Sequence, residues 1–302
     1  MRALNKRQIA IKSFLFTCAL TLISSKYGQT RAEPTRDNQH ESLSRQCELP
    51  FWSYRDYIVI VQGSLGRKLK RNLIIDTGTN HSVIDRRVAR ELHMAGSVGR
   101  LGVHDQVIDA EQAALPSVQI GTVRAESLPV LVRDLSFLQK ELGIRIDGIA
   151  GLDVLSLSNF SIDYTTNCIV FGSTPVYGSS VPLQSTQPWL TVTMVVNGVS
   201  LRLMLDTAAS GIILFQSRIR NRLQLVGEGE RDSSNLGGQI HFQRVILART
   251  KFGETDFCQR DAYVVADQED ESPDFDGLLA PSALGLKQIA FDFQRHTLSW
   301  EK

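Results

Sequence analysis

Asp76 and Asp206 are the residues whose surroundings point most directly to chemistry. Each closes a run of apolar residues and is followed by threonine and a tiny residue. The stretches are Leu73-Ile74-Ile75-Asp76-Thr77-Gly78-Thr79 and Leu203-Met204-Leu205-Asp206-Thr207-Ala208-Ala209, and the two aspartates stand 130 positions apart. A buried strand that ends abruptly on a carboxylate makes little sense as a core element, but it suits an arm that delivers one carboxylate to the middle of a molecule. Two such arms would bring two carboxylates together. A close carboxylate pair cannot ionise twice at low cost, and a pair that shares one proton is equipped for hydrolysis.

The elements around these arms repeat as well. Ile146-Asp147-Gly148-Ile149-Ala150-Gly151-Leu152 is matched by Phe275-Asp276-Gly277-Leu278-Leu279-Ala280-Pro281, 129 positions later. Phe160-Ser161-Ile162-Asp163-Tyr164 is matched at the same offset of 129 by Ile289-Ala290-Phe291-Asp292-Phe293, and Cys168-Ile169-Val170-Phe171 by Thr297-Leu298-Ser299-Trp300. Landmarks in one order at one offset mean an internal duplication. Strand patterns cover Tyr57 to Val61, Asn72 to Ile75, Leu128 to Val132, Trp189 to Val196 and Ser200 to Leu205, and Asn197-Gly198 forms a hairpin turn. A Gly-containing β-like region fills Ser97 to Ile120, and Ile84 to Met94 has helical spacing. The expected class is mainly β, in two similar lobes with a cleft between them. The expected domains are a signal peptide over 1–32, a polar lead-in over 33–55, lobes over 56–172 and 189–302, and a Gly/Ser/Pro-rich linker over 173–188.

The first 32 residues read as a secretory signal: a basic start (Arg2, Lys6, Arg7, Lys12), the short apolar run of residues 13–25, and small residues flanking Arg31. The alternative is an uncleaved membrane anchor, although the run is short for a bilayer. Cys18 as a lipidated cysteine fits its neighbours poorly. Without residues 1–32 the chain has 27 basic and 32 acidic side chains, a net charge of −5. No basic patch then argues for nucleic acid, and no stable membrane span is expected after cleavage. Secreted or periplasmic placement follows. Cys47, Cys168 and Cys258 would remain, an odd number that permits one disulfide of unreadable pairing or mostly buried free thiols.

Taken together, Asp76-Thr77-Gly78-Thr79, Asp147-Gly148-Ile149-Ala150-Gly151 and Ile162-Asp163-Tyr164 resemble the aspartic proteases over most of residues 57–302. The halves are closer in length to the retroviral-type (retropepsin-like) domain than to a pepsin lobe. The resemblance implies an aspartic endopeptidase acting on polypeptides as a monomer without cofactor or metal. Asp76 and Asp206 would be the catalytic pair, with Thr77, Gly78, Thr79, Thr207 and Ala208 in the supporting loops. It also implies that the Thr77 and Thr207 hydroxyls reach across to the opposite loop, that Gly78 frees the backbone to turn amides toward the carboxylates, and that Thr79 can hydrogen-bond its neighbouring carboxylate. Ile149-Ala150-Gly151 would pack beneath the first loop. Ala208 and Ala280 depart from the glycines usual at these places, and an added methyl strains the loop only where φ is positive. A catalytically inactive, peptide- or protein-binding relative is the alternative. Substrate-covering flaps are expected at Leu101 to Gln106, which contains His104, and at Asn235 to Gln239, which contains Gly237 and Gly238. Residues 95–136 contain no aromatic, so the flap tyrosine of pepsin-like enzymes has no counterpart.

His81 and His104 lack the ligand spacing of a metal site. Asp147 and Asp276 precede glycine and suit structural turns, and Asp163 and Asp292 suit strand ends. Asp267 to Glu271 reads as a solvated loop, and no serine sits in a nucleophile elbow.

Overall fold

A computed structural model describes residues 47–54, 57–103, 106–186, 189–225, 227–235, 238–266 and 274–302. The fold is mainly β, with two barrel-like lobes built to one plan. In lobe one, Ile58–Leu65 and Lys68–Ile75 form a hairpin whose second strand carries Leu73, Ile74 and Ile75, all nearly inaccessible to solvent, up to Asp76. β-branched residues suit a strand packed on both faces. In lobe two, Trp189–Val196 and Val199–Leu205 repeat the hairpin. Its turn is Asn197-Gly198, with φ of 48° and 84°, the doubly positive pair that a tight two-residue hairpin requires.

Each delivering strand then gains a parallel neighbour from far along the chain. Leu73 to Ile75 pair with Gly148 to Ala150, and Leu203 to Leu205 with Gly277 to Leu279. The Asp-Gly turns before these short strands are structural. Asp147 accepts from the Asn72 amide at 3.0 Å and pairs with Arg71 and Arg87, while Asp276 accepts from the Arg202 amide at 2.8 Å and pairs with Arg222. Gly277 is required by close approach, because a Cβ there would lie 2.0 Å from the Ile213 carbonyl oxygen.

A six-stranded antiparallel sheet joins the lobes, in the order Ser179–Pro182, Thr297–Glu301, Gln288–Asp292, Phe160–Asp163, Cys168–Phe171, Leu49–Tyr54. At its centre Phe160 pairs with Phe291 and Ile162 with Ile289. Shifting one pair by the repeat offset of 129 gives the other, so the lobes meet about a pseudo-twofold axis. Phe160 and Phe291 stack at 4.4 Å across it. One core runs from Val59 and Leu115 through these rings to Val192 and Phe252.

Several local expectations change. Leu49–Tyr54, placed by sequence in the polar lead-in, is a strand that pairs with Cys168–Phe171 on one side and Ile58–Leu65 on the other, and the linker holds its symmetry mate Ser179–Pro182 together with Gln184–Thr186. Both pair through backbone groups, which a composition-based boundary does not register. The helix expected over Ile84 to Met94 is shorter, Arg86–Glu91, because Val83–Asp85 is drawn into the sheet and Asp85 caps the helix by accepting from the Arg87 amide. Cys47 and Cys168 form a disulfide that ties the chain before Leu49 to the joining sheet, and Cys258 is free and exposed. Asp163 and Asp292 cap turns, accepting from the Thr165 and Arg295 amides at 2.8 Å. No helix among the described residues is long and apolar enough to cross a membrane.

Candidate active site

The two aspartate loops meet at the lobe interface. The Asp76 amide donates to the Ala150 carbonyl and the Asp206 amide to the Leu279 carbonyl, each at 3.0 Å, so the parallel strand of each lobe holds its aspartate in place. Both aspartates are 0% exposed. The Gly78 amide donates to Asp76 Oδ1 at 2.8 Å, and the Ala208 and Ala209 amides donate to Asp206 Oδ1 at 2.8 and 2.9 Å. Burial first, and the Asp76 carboxylate second, push the Asp206 carboxyl well above the ordinary carboxylate range, against the pull of those two amides.

Four reciprocal hydrogen bonds lock the loops together. Thr77 Oγ1 donates to the Leu205 carbonyl at 2.8 Å and accepts from the Thr207 amide at 3.2 Å. Thr207 Oγ1 donates to the Ile75 carbonyl at 2.9 Å and accepts from the Thr77 amide at 3.1 Å. Each hydroxyl therefore satisfies two backbone groups of the other lobe in a buried place, where an unpaired group would be expensive.

The supporting residues are not equivalent. A Cβ on Gly78 would stand 2.5 Å from Asp206 Cγ, and Gly78 is not among the glycines with positive φ. What this glycine supplies is room for the opposing carboxylate rather than a left-handed backbone. Ala208, in the matching place of lobe two, is also outside the positive-φ set, and it is buried in an apolar cluster whose other members, Ile58, Ile74 and Ile149 among them, belong to lobe one. Ala280 has φ −81°, so neither alanine strains its loop. Thr79 Oγ1 donates to the His81 carbonyl at 2.9 Å, so its hydroxyl serves its own turn instead of the carboxylate expected from sequence.

His104 and Gly237 lie outside the described residues. The segments on either side of them form long hairpins, Val103 pairing with Gln106 and Asn235 with Gly238, which begins the strand Gly238–Phe252.

Sequence reasoning missed one support of the first loop. Ser82 Oγ donates to Asp153 Oδ1 at 2.6 Å, the Ser82 amide to Asp153 Oδ2 at 2.8 Å, and Ser82 Oγ accepts from the Gly151 amide at 3.1 Å. Burial pushes Asp153 up, opposed by Ser82. The repeat could not reveal this, because the matching lobe-two positions are Ile212 and Ser282. His81 lines an interlobe cavity of about 500 Å³ with Asn80, Asp153, Trp189, Phe293 and His296. No group of three or more metal-ligating side chains occurs among the described residues.

Two buried carboxylates fixed face to face by crossed threonines can share a proton and activate a water between them. No curated protein matches the chain. A family described as Aspartyl protease matches it twice, over residues 61–154 and 192–283, once in each lobe and each time across the aspartate loop. The chain belongs to the aspartyl protease family, with the family's domain present twice in one polypeptide.

Proposed function

We propose that the protein is an aspartic endopeptidase that hydrolyses peptide bonds with Asp76 and Asp206. The observation that carries this reading is the reciprocal Thr77/Thr207 network around two fully buried carboxylates. In this reading the resting pair holds one proton, placed on Asp206, whose carboxyl is pushed up by burial and by Asp76. Asp76 then takes the proton of a water as it attacks the scissile carbonyl, and Asp206 donates to the carbonyl oxygen. The paired strands Gly96–Val103 with Gln106–Ile120 and Gly227–Asn235 with Gly238–Phe252 would close over the substrate. Both halves of the site lie in one chain, so activity should rise linearly with enzyme concentration, as a monomer requires.

The test is expression of residues 33–302 and cleavage of a mixed peptide library from acid to neutral pH. Loss of cleavage in Asp76→Asn and in Asp206→Asn, each made separately, supports the reading. A folded protein that binds library peptides and cleaves none of them sinks it in favour of a silent binding protein. We also propose export to an oxidising compartment. The supporting observation is the Cys47–Cys168 disulfide, a bond that persists outside the reducing cytosol. Cell fractionation with N-terminal sequencing of the product tests it, and an intact N-terminus in the cytosol would refute it.

A further inference from the structure

Lobe one carries a cluster of guanidinium groups that the dyad does not use. Arg86, Arg87 and Arg90 project from the helix Arg86–Glu91, and Arg145 follows the helix Ser136–Leu142. Together with Ser136 they line a cavity of about 250 Å³ between the two helices. Arg87 is neutralised by Glu91 and Asp147. The side chains of Arg86, Arg90 and Arg145 make no hydrogen bond or ion pair among the described residues. Of the two carboxylates in the wall, Asp85 accepts from the Arg87 and Leu135 amides, each at 3.0 Å, and lies 3.6 Å from Arg87 Nε. Asp134 accepts from the Ser136 amide at 2.9 Å and is held low by that bond first and by the charges of Arg86 and Arg133 after it. Arg86 is thus offset in part, and Arg90 and Arg145 are not. Arg133, outside the lining, is lowered by burial and then by the like charge of Arg86.

Like charges gathered at a cavity repel one another, and a structure keeps them together most readily when an anion lies between them. The duplication sharpens the point. The positions matching Arg86 and Arg145 in lobe two are Gln216 and Asp274, so the shared framework does not need arginine at either place. Guanidinium forks match the paired oxygens of a phosphate, and the cavity is of the size for a small oxyanion rather than a polymer.

We propose that this cavity binds a compact phosphate-type oxyanion, either inorganic phosphate or a phosphate monoester, held by Arg86, Arg90 and Arg145 with the Ser136 hydroxyl beside them. The proposal does not depend on peptidase activity. Its wall is continuous with the dyad's surroundings, since Leu135, Leu138 and Leu142 pack in one cluster with Ile149 and Ala208. Occupancy should therefore steady the helix Ser136–Leu142 behind the first aspartate loop.

Calorimetric and thermal-shift titrations of the purified chain with inorganic phosphate and with a phosphate monoester, phenyl phosphate, test the site and tell the two apart, with chloride at matched ionic strength as reference. The expected result is saturable binding with a raised melting temperature, weakened at least about tenfold by Arg86→Gln/Arg90→Gln and by Arg145→Gln. Arg249→Gln, an exposed site elsewhere, should bind as the parent does. The three arginines are exposed, so the variants should match the parent's melting temperature without anion, which confirms folding. A response equalled by chloride, or retained in both arginine variants, overturns the proposal. So does binding to phosphatidylglycerol vesicles that excess phosphate does not compete away, because it would mark a membrane surface instead.

Discussion

Asp206 Oδ1 receives two amides, yet burial and then the charge of Asp76 push its carboxyl well above the ordinary carboxylate range. The consequence for stability has a definite sign. The native state keeps a proton that the unfolded chain releases above about pH 4, so stability falls as pH rises from there toward the native value, by about 1.4 kcal/mol per unit. Asp206→Asn removes that titration while preserving shape and acceptor. It should abolish cleavage, leave stability near the parent's at pH 3, and raise the denaturation midpoint above the parent's at pH 7. Equal midpoints at pH 7 would show that Asp206 is ionised. Gly78 makes a second residue-scale case. Gly78→Ala forces a methyl to within 2.5 Å of Asp206 Cγ, and overpacking of this kind costs about 1–3 kcal/mol. Stability and turnover should both fall, whereas Ala208→Gly should retain turnover, since Ala208 is buried without strain. A library assay with thermal melts on both variants separates the two outcomes.

At the scale of elements, the site depends on two strand ends and the crossed hydroxyls between them. Thr77→Val leaves the Leu205 carbonyl and the Thr207 amide without their partner, at a cost of about 1–3 kcal/mol for a buried orphan. Thr207→Val does the same to Ile75 and Thr77. Because one network is broken in both cases, the double variant should lose less than the sum of the singles, by about 0.5–3 kcal/mol in a double-mutant cycle from chemical denaturation. Additive losses would mean that the two hydroxyls act independently. The delivering strands themselves were legible, because apolar residues running into Asp-Thr leave little other reading. The parallel strands at Gly148–Ala150 and Gly277–Leu279 were visible only as repeated letters. Their pairing with residues more than seventy positions away is a long-range hydrogen-bond pattern that no local periodicity encodes.

The whole molecule is two lobes on a shared sheet, with a strand from each of two segments that read as loose chain. The Cys47–Cys168 disulfide closes a sequence separation of 121 residues and fixes one of those strands. A loop of that order loses about 4–5 kcal/mol of denatured-state entropy when crosslinked, with measured effects commonly 2–5. Cys47→Ser/Cys168→Ser should therefore lower stability by a few kcal/mol in denaturant titrations while leaving cleavage per folded molecule unchanged, since neither sulfur touches the aspartate loops. A loss of specific activity at full folding would instead link that strand to the dyad.

By itself, the sequence determined the duplication, the mainly β class, the two delivering strands and the pair of aspartates, because each is written in local residue order and in a constant offset. Only the tertiary structure decided how the halves differ. Gly78 faces a carboxylate at a distance that excludes a methyl, Ala208 packs into the opposite lobe, Thr79 turns away from the dyad, and Ser82 finds Asp153. These are contacts between residues distant in sequence, and whether an added methyl or hydroxyl fits depends on a few tenths of an ångström of packing. That distance is set when two similar but unequal lobes settle against each other, and neither half of the sequence contains it alone.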